Sequence, residues 1–153
     1  MKQSRKLLSV LLVLCLVFSL TCTVFAAEGE TAEMAGKTVI VHTNDVHGAV
    51  LGYAKAAQLK NDYAAKGADV ILVDCGDYGQ GAPEVSVSKG ANAVAMMNAA
   101  GYDFATLGNH EFDYGFDNLV SIMKGAKFQV LCADVTKDGK PAFTGHAIME
   151  RAV

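Results

Sequence analysis

The order of apolar runs in this 153-residue chain predicts an α/β domain with a mostly parallel sheet flanked by helices. Three observations carry that expectation. Apolar strand-like runs at Thr38–His42, Val70–Val73 and Phe104–Leu107 alternate with longer segments of helical character. Those helical segments stop at Gly67, Gly101 and Gly125. Each of the three runs is also followed by polar side chains able to hold a ligand. They stand at the carboxyl edge of the sheet, where open α/β folds bind their ligands.

From the start of the chain, Lys2, Arg5 and Lys6 precede the apolar run Leu7 to Phe25, and the small residues Ala26 and Ala27 follow. A basic head, an apolar centre and a small-residue end describe a secretory signal peptide, here residues 1–26. The expected product is secreted or held in the cell envelope, with no stable membrane insertion after cleavage. Residues 27–37 read as a flexible leader and 38–153 as one domain. Cleavage removes three cations and no acids, leaving 10 Lys and Arg against 16 Asp and Glu, net −6. That balance argues against nucleic acid as a partner. Cys15 and Cys22 leave with the signal. Cys75 and Cys132, beside apolar strands, are expected in the core rather than in a disulfide framework.

Within the domain, Thr38-Val39-Ile40-Val41 is continuous and β-branched, as a strand buried on both faces would be. Tyr53, Ala56, Leu59 and Tyr63 recur at helical spacing across Gly52–Lys66. Asp69–Asp74 is the second strand, and Gly79, Gly81 and Pro83 mark a loop. Ala91–Ala100 is the next helix, Phe104–Leu107 the third strand, and Asp117 is placed to cap a helix ending near Lys124. Phe128–Ala133 is expected as a fourth strand. A turn over Lys137–Pro141 follows, and a further strand is placed within Phe143–Val153. Right-handed crossovers make the sheet parallel.

The chemistry gathers at the strand ends. Asp45 and His47 stand at i and i+2 after the first strand, and Asp77 follows Gly76 after the second. Gly108-Asn109-His110-Glu111-Phe112-Asp113 follows the third. An amide, an imidazole and carboxylates in such positions supply the oxygen and nitrogen donors of a divalent metal site. Asp113, three residues beyond His110, is spaced to orient and charge it. Asp74 precedes the glycine turn and is expected to hydrogen-bond locally.

Asp45-x-His47, Gly76-Asp77 and Gly108-Asn109-His110-Glu111 resemble, in order and spacing, the first three motifs of the calcineurin-like metallophosphoesterases. Val41–Gly48, Asp77–Gly81 and Gly108–Asp113 resemble most closely the secreted 5′-nucleotidase/UDP-sugar hydrolase branch. The resemblance covers most of Lys37–Val135. It implies the first half of an αββα sandwich and hydrolysis of a small phosphoester, most simply a nucleotide. It also implies two divalent cations drawn from Mn, Zn, Mg or Fe. Asp45 and His47 would hold the first, Asp77 would bridge, and Asn109 would hold the second. His110, supported by Asp113, would stabilise the phosphoryl transition state or protonate the leaving oxygen. Cations about 3.5–4 Å apart would clamp the phosphate for in-line attack by water. The resemblance gives Glu111 no role at the metals.

The family completes its site with later histidines, one alone and then a Gly-His-x-His pair. Beyond the motifs this chain has only His42, expected in the core or behind the ligands, and His146, expected at the surface. Asp134 stands where relatives usually carry Asn. The chain therefore reads as a truncated catalytic domain, in which uncovered apolar sheet surface is expected. The alternative is a non-catalytic half-domain that binds a metal or nucleotide.

Overall fold

Four parallel strands, in the order β1-β2-β3-β4, set the frame of the computed structural model, which describes residues 33–151. The segment expected to be a signal peptide, 1–26, and most of the expected leader, 27–37, lie outside the described residues. β1 (Thr38–Thr43) pairs in parallel with β2 (Asp69–Asp74), and Thr38 stands opposite Asp69. β2 pairs with the two-residue β3 (Phe104–Ala105), which in turn pairs with β4 (Gln129–Val130). The crossovers are α1 (Val50–Ala65), then the short α2 (Pro83–Ser86) with α3 (Ala91–Ala100), and finally α4 (Phe116–Met123). A small antiparallel hairpin, β5 (Thr136–Lys137) and β6 (Lys140–Pro141), occupies the predicted turn.

Alternation along β2 decides which face is the core. Val70, Leu72 and Asp74 are buried, whereas Asp69, Ile71 and Val73 are only half-buried. Leu72 packs with Tyr53 and Ala56 of α1, Val94 and Met97 of α3, and Tyr102, Ala105 and Phe128. Burying a side chain of that size contributes about 1.5–3 kcal/mol. The helices cover one side of the sheet. β1 stands at the edge of the sheet, and on its outer side Ile40 is 64% exposed, so the strand has one half-buried face and is not the doubly buried strand expected. A continuous β-branched run suits either environment, and only the second layer distinguishes them. His42 shares the outer face and is exposed rather than in the core.

Local chemistry explains the element ends. At the end of α1, Gly67 adopts φ +87 and the N–H of Ala68 donates to Tyr63 O at 3.1 Å, closing the last turn. Met34 N donates to Lys66 O at 2.9 Å, so the last leader residues lie against this helix end. Three expectations need correction. Gly115, not Asp117, precedes α4; Asp117 sits in its first turn and pairs with Lys137 at 2.9 Å. The third and fourth strands are each two residues long, Phe104–Ala105 and Gln129–Val130, shorter than the expected Phe104–Leu107 and Phe128–Ala133. Beyond Pro141 a single bridge, Leu131 with Thr144, replaces the expected strand within the described residues. Cys132 is buried as expected; Cys75, one residue beyond β2, is exposed, and both thiols are free.

Asp74 is the one acid of β2 on the core face, 2% exposed. Its Oδ2 accepts from Thr43 Oγ1 at 2.5 Å and its Oδ1 from Gly76 N at 2.8 Å, and Thr43 also meets Tyr102 Oη at 2.7 Å. Burial pushes this carboxyl up to about 6, and the hydrogen bonds from Thr43 and Gly76 only partly offset that rise. A raised acid favours folding fully below the unfolded value of 3.8 and loses that contribution as pH rises towards about 6. Asp74→Asn keeps an acceptor for Gly76 and offers its NH₂ to Thr43 Oγ1, whose hydroxyl can then donate to Tyr102 Oη, without burying a charge. It is expected to raise stability at pH 8 by on the order of 1–3 kcal/mol, a gain that shrinks to nothing near pH 4. Urea unfolding at the two pH values reads the difference, and a gain equal at both would refute this account.

Candidate metal centre

The site is built by backbone pairing that outlasts the strands. Past the end of β1 and β2, Cys75 N donates to Thr43 O at 2.8 Å, Asp45 N to Gly76 O at 3.1 Å, and His47 N to Asp77 O at 3.0 Å. Ala82 N then donates to His47 O at 2.8 Å. The loop carrying Asp45 and His47 is thereby zipped to the loop carrying Asp77. A second junction joins that loop to the one after β3, where His110 N donates to Asp77 Oδ1 at 2.9 Å.

These junctions bring His47, Asp77 and His110 together. One ligand atom from each lies within 4.8 Å of the others, and all three side chains are partly exposed. The two imidazoles meet edge to face, with centroids 5.0 Å apart. His47 Nδ1 donates to Gln80 O at 3.0 Å, which leaves Nε2 facing the cluster. Asp45 borders the group, its Oδ1 3.7 Å from His47 Nε2, and Asn44 Nδ2 donates to its Oδ2. Asn109 is exposed and immediately precedes the single 3-10 turn His110–Phe112. Imidazole and carboxylate donors at this spacing fit a divalent cation.

His110 Nδ1 lies 2.8 Å from Asp113 Oδ2. The turn places residues i and i+3 on one side, so the pair assumed from spacing is made. Its hydrogen bond with Asp113 raises the His110 pKa above the usual 6.5, so the ring keeps its proton to higher pH. His146 is exposed and stands apart from this group, as expected.

Two features were not legible in the motifs. Asp45, His47 and Asp77 adopt φ of +54, +48 and +61, and they make up three of the five non-glycine residues with positive φ among those described. Left-handed backbone in non-glycine residues collects at functional sites. Glu111, to which the resemblance gives no role at the metals, is 3% exposed and accepts four backbone N–H groups. A carboxylate next to a histidine motif and three residues after a glycine was the available signal, but three of its four partners lie more than 30 residues upstream.

Gly76 sets the approach of the second and third loops. It has φ +104, and a Cβ there would stand 2.5 Å from Gly108 N. Gly76→Ala is expected to cost roughly 2–5 kcal/mol, from the backbone conformation and the overlap together. A melting temperature within a degree of wild type in a thermal unfolding experiment would contradict this geometry.

Comparison with known proteins gives the same family as the site. The family model for calcineurin-like phosphoesterases matches residues 38–140. A 2′,3′-cyclic-nucleotide 2′-phosphodiesterase/3′-nucleotidase of Haemophilus influenzae is 34% identical over 137 residues, covering 74% of this chain and 21% of that protein. A 5′-nucleotidase of Vibrio cholerae is 32% identical, covering 99% of this chain and 30% of its own length. Among solved structures, the calcineurin-like phosphoesterase YfkN from Bacillus subtilis superposes with a TM-score of 0.62 at 31% identity, over 73% of this chain and 41% of that one. The chain thus spans only about a fifth of the first of these curated relatives and under a third of the second. With sheet, loops and sequence in agreement, the chain belongs to the calcineurin-like phosphoesterase family.

Proposed function

We propose that residues 38–153 form the first part of the catalytic domain of a two-metal phosphoesterase that removes phosphate from nucleotides outside the cytoplasm. The observation that carries this reading is the meeting of His47, Asp77 and His110 from three strand ends. Relatives named as 5′-nucleotidases and as a cyclic-nucleotide phosphodiesterase/3′-nucleotidase support nucleotide substrates, with a nucleoside 5′-monophosphate the first to try. The signal-like start of the sequence supports export. Among the described residues no helix is long and apolar enough to cross a membrane.

In this reading Asp45, His47, Asp77 and Asn109 would hold the divalent cations, Asp45 and His47 on one side and Asn109 on the other, with Asp77 between them. Mn, Zn, Mg and Fe all accept such donors. When bound, the cations supply Lewis acidity to the phosphoryl group and lower the pKa of water. The chain's own residues do the rest. Gln80 O fixes the His47 ring so that Nε2 points inward. Asp113 holds the Nδ1 proton of His110, leaving His110 Nε2–H to donate to a phosphoryl or leaving oxygen.

Phosphate release from a nucleoside 5′-monophosphate by a protein carrying the complete catalytic domain, measured with added Mn²⁺, tests the reading. Asp77→Ala is expected to abolish turnover, and His110→Ala to lower kcat by about 10²–10⁴-fold. Turnover that survives Asp77→Ala would remove the proposal. Mn²⁺ uptake with no turnover of any nucleotide would instead favour a binding half-domain.

A further inference from the structure

We infer that Glu111 is the positioning residue of this centre, fixing the distance between Asp77 and the Asn109–His110 loop by gathering the backbone of both loops. The inference rests on the metal reading above and assigns a role to a residue outside the ligand set.

Glu111 Oε2 accepts from Asp77 N at 2.9 Å and from Gly108 N at 2.6 Å. Oε1 accepts from Tyr78 N at 2.9 Å and from Gly79 N at 2.8 Å. A carboxylate offers about four acceptor positions, and all of them are used. Among the described residues no Lys or Arg pairs with it, so inward-pointing N–H dipoles compensate it instead. Three of the four donors belong to the segment after β2, beginning with Asp77 itself. The fourth precedes Asn109. One buried side chain thus ties the proposed bridging ligand to the loop that supplies Asn109 and His110. The tie also holds Asp77 at its positive φ, because its N–H is engaged by Glu111 while its Oδ1 accepts from His110 N.

A residue that only stabilised the fold would change the amount of folded protein but not the affinity of the folded site. Supporting shells around a metal typically change affinity by 10–100-fold when broken. In Glu111→Gln one oxygen becomes an NH₂ group that faces two N–H donors, so two of the four hydrogen bonds are lost without loss of volume.

The test titrates Mn²⁺ into the chain by calorimetry, and follows amide exchange by NMR at Asp77, Tyr78, Gly79 and Gly108. Glu111→Gln is expected to bind Mn²⁺ about 10–100-fold more weakly while folded, with faster exchange at those amides. Leu119→Ala, which removes a fully buried core side chain, is expected to lower stability but leave affinity within about twofold. Folded Glu111→Gln with wild-type affinity overturns the inference and leaves the metal reading standing. Wild-type protein that takes up no Mn²⁺ overturns the metal reading, and this inference with it. If Glu111→Gln does not fold, Gly79→Ala decides, since its Cβ would press on Glu111 Oε1 from 3.2 Å. Weaker Mn²⁺ binding in that variant supports the inference, and unchanged binding overturns it.

Discussion

The pairing of β1 with β2 continues beyond the sheet, and the site depends on that continuation. Thr43 O, Gly76 O and Asp77 O accept in turn from Cys75, Asp45 and His47, so two loops behave as one extension of the ladder. Without it, Asp45 and His47 would sit on a free loop and pay the ordering entropy of that loop on binding. With it, their positions follow from the register that sets Thr38 against Asp69 far below. Helix packing against Leu72 holds that register, so the apolar core and the polar edge form one mechanical unit. Shifting β1 by one residue would send Val39 and Val41 outward and Ile40 inward, and would also move both candidate ligands.

That unit carries strain where the ligands are. Three positive-φ residues at roughly 1–3 kcal/mol each are a substantial load for a domain of this size. Asp tolerates the left-handed region better than most residues, and His is also enriched there. Hydrogen bonds offset the remainder: Asp45, His47 and Asp77 each donate their backbone N–H, two to carbonyls of the neighbouring loop and one to Glu111. The strained backbone therefore sits inside a network that fixes it, as a preorganised site requires.

Much of this was legible in the sequence because the signals were local. Asp69–Asp74 and Ala91–Ala100 have the expected bounds, since a short apolar run and a glycine stop specify them within a few residues. The pairing of His110 with Asp113 followed from spacing on one turn. Features set by distant partners were not legible. The exposure of Ile40 and His42 depends on what covers the second face of the sheet; the β-branched run does not encode that, and only the reading of a truncated domain led to uncovered apolar sheet surface being expected. The exposure of Cys75 depends on where the chain leaves β2. The burial of Glu111 depends on amides more than 30 positions away. Charged residues are read as surface by default, and only the N–H groups of another loop make an exception here.

Asp74 and Asp77 show how three residues of separation produce opposite roles. Asp74 still belongs to the strand, shares the face of Leu72, and is turned towards Thr43 and Tyr102 beneath the helices. Burial raises its pKa and removes it from any ligand reaching the edge. Gly76 then bends the chain with φ +104, and Asp77 emerges on the open edge beside His47 and His110. The inner acid also helps to place the outer one, because its Oδ1 holds Gly76 N and its Oδ2 holds Thr43, the last residue of β1. A buried carboxylate at this point is costly to the fold, and the loops that carry the donors start from the groups it anchors.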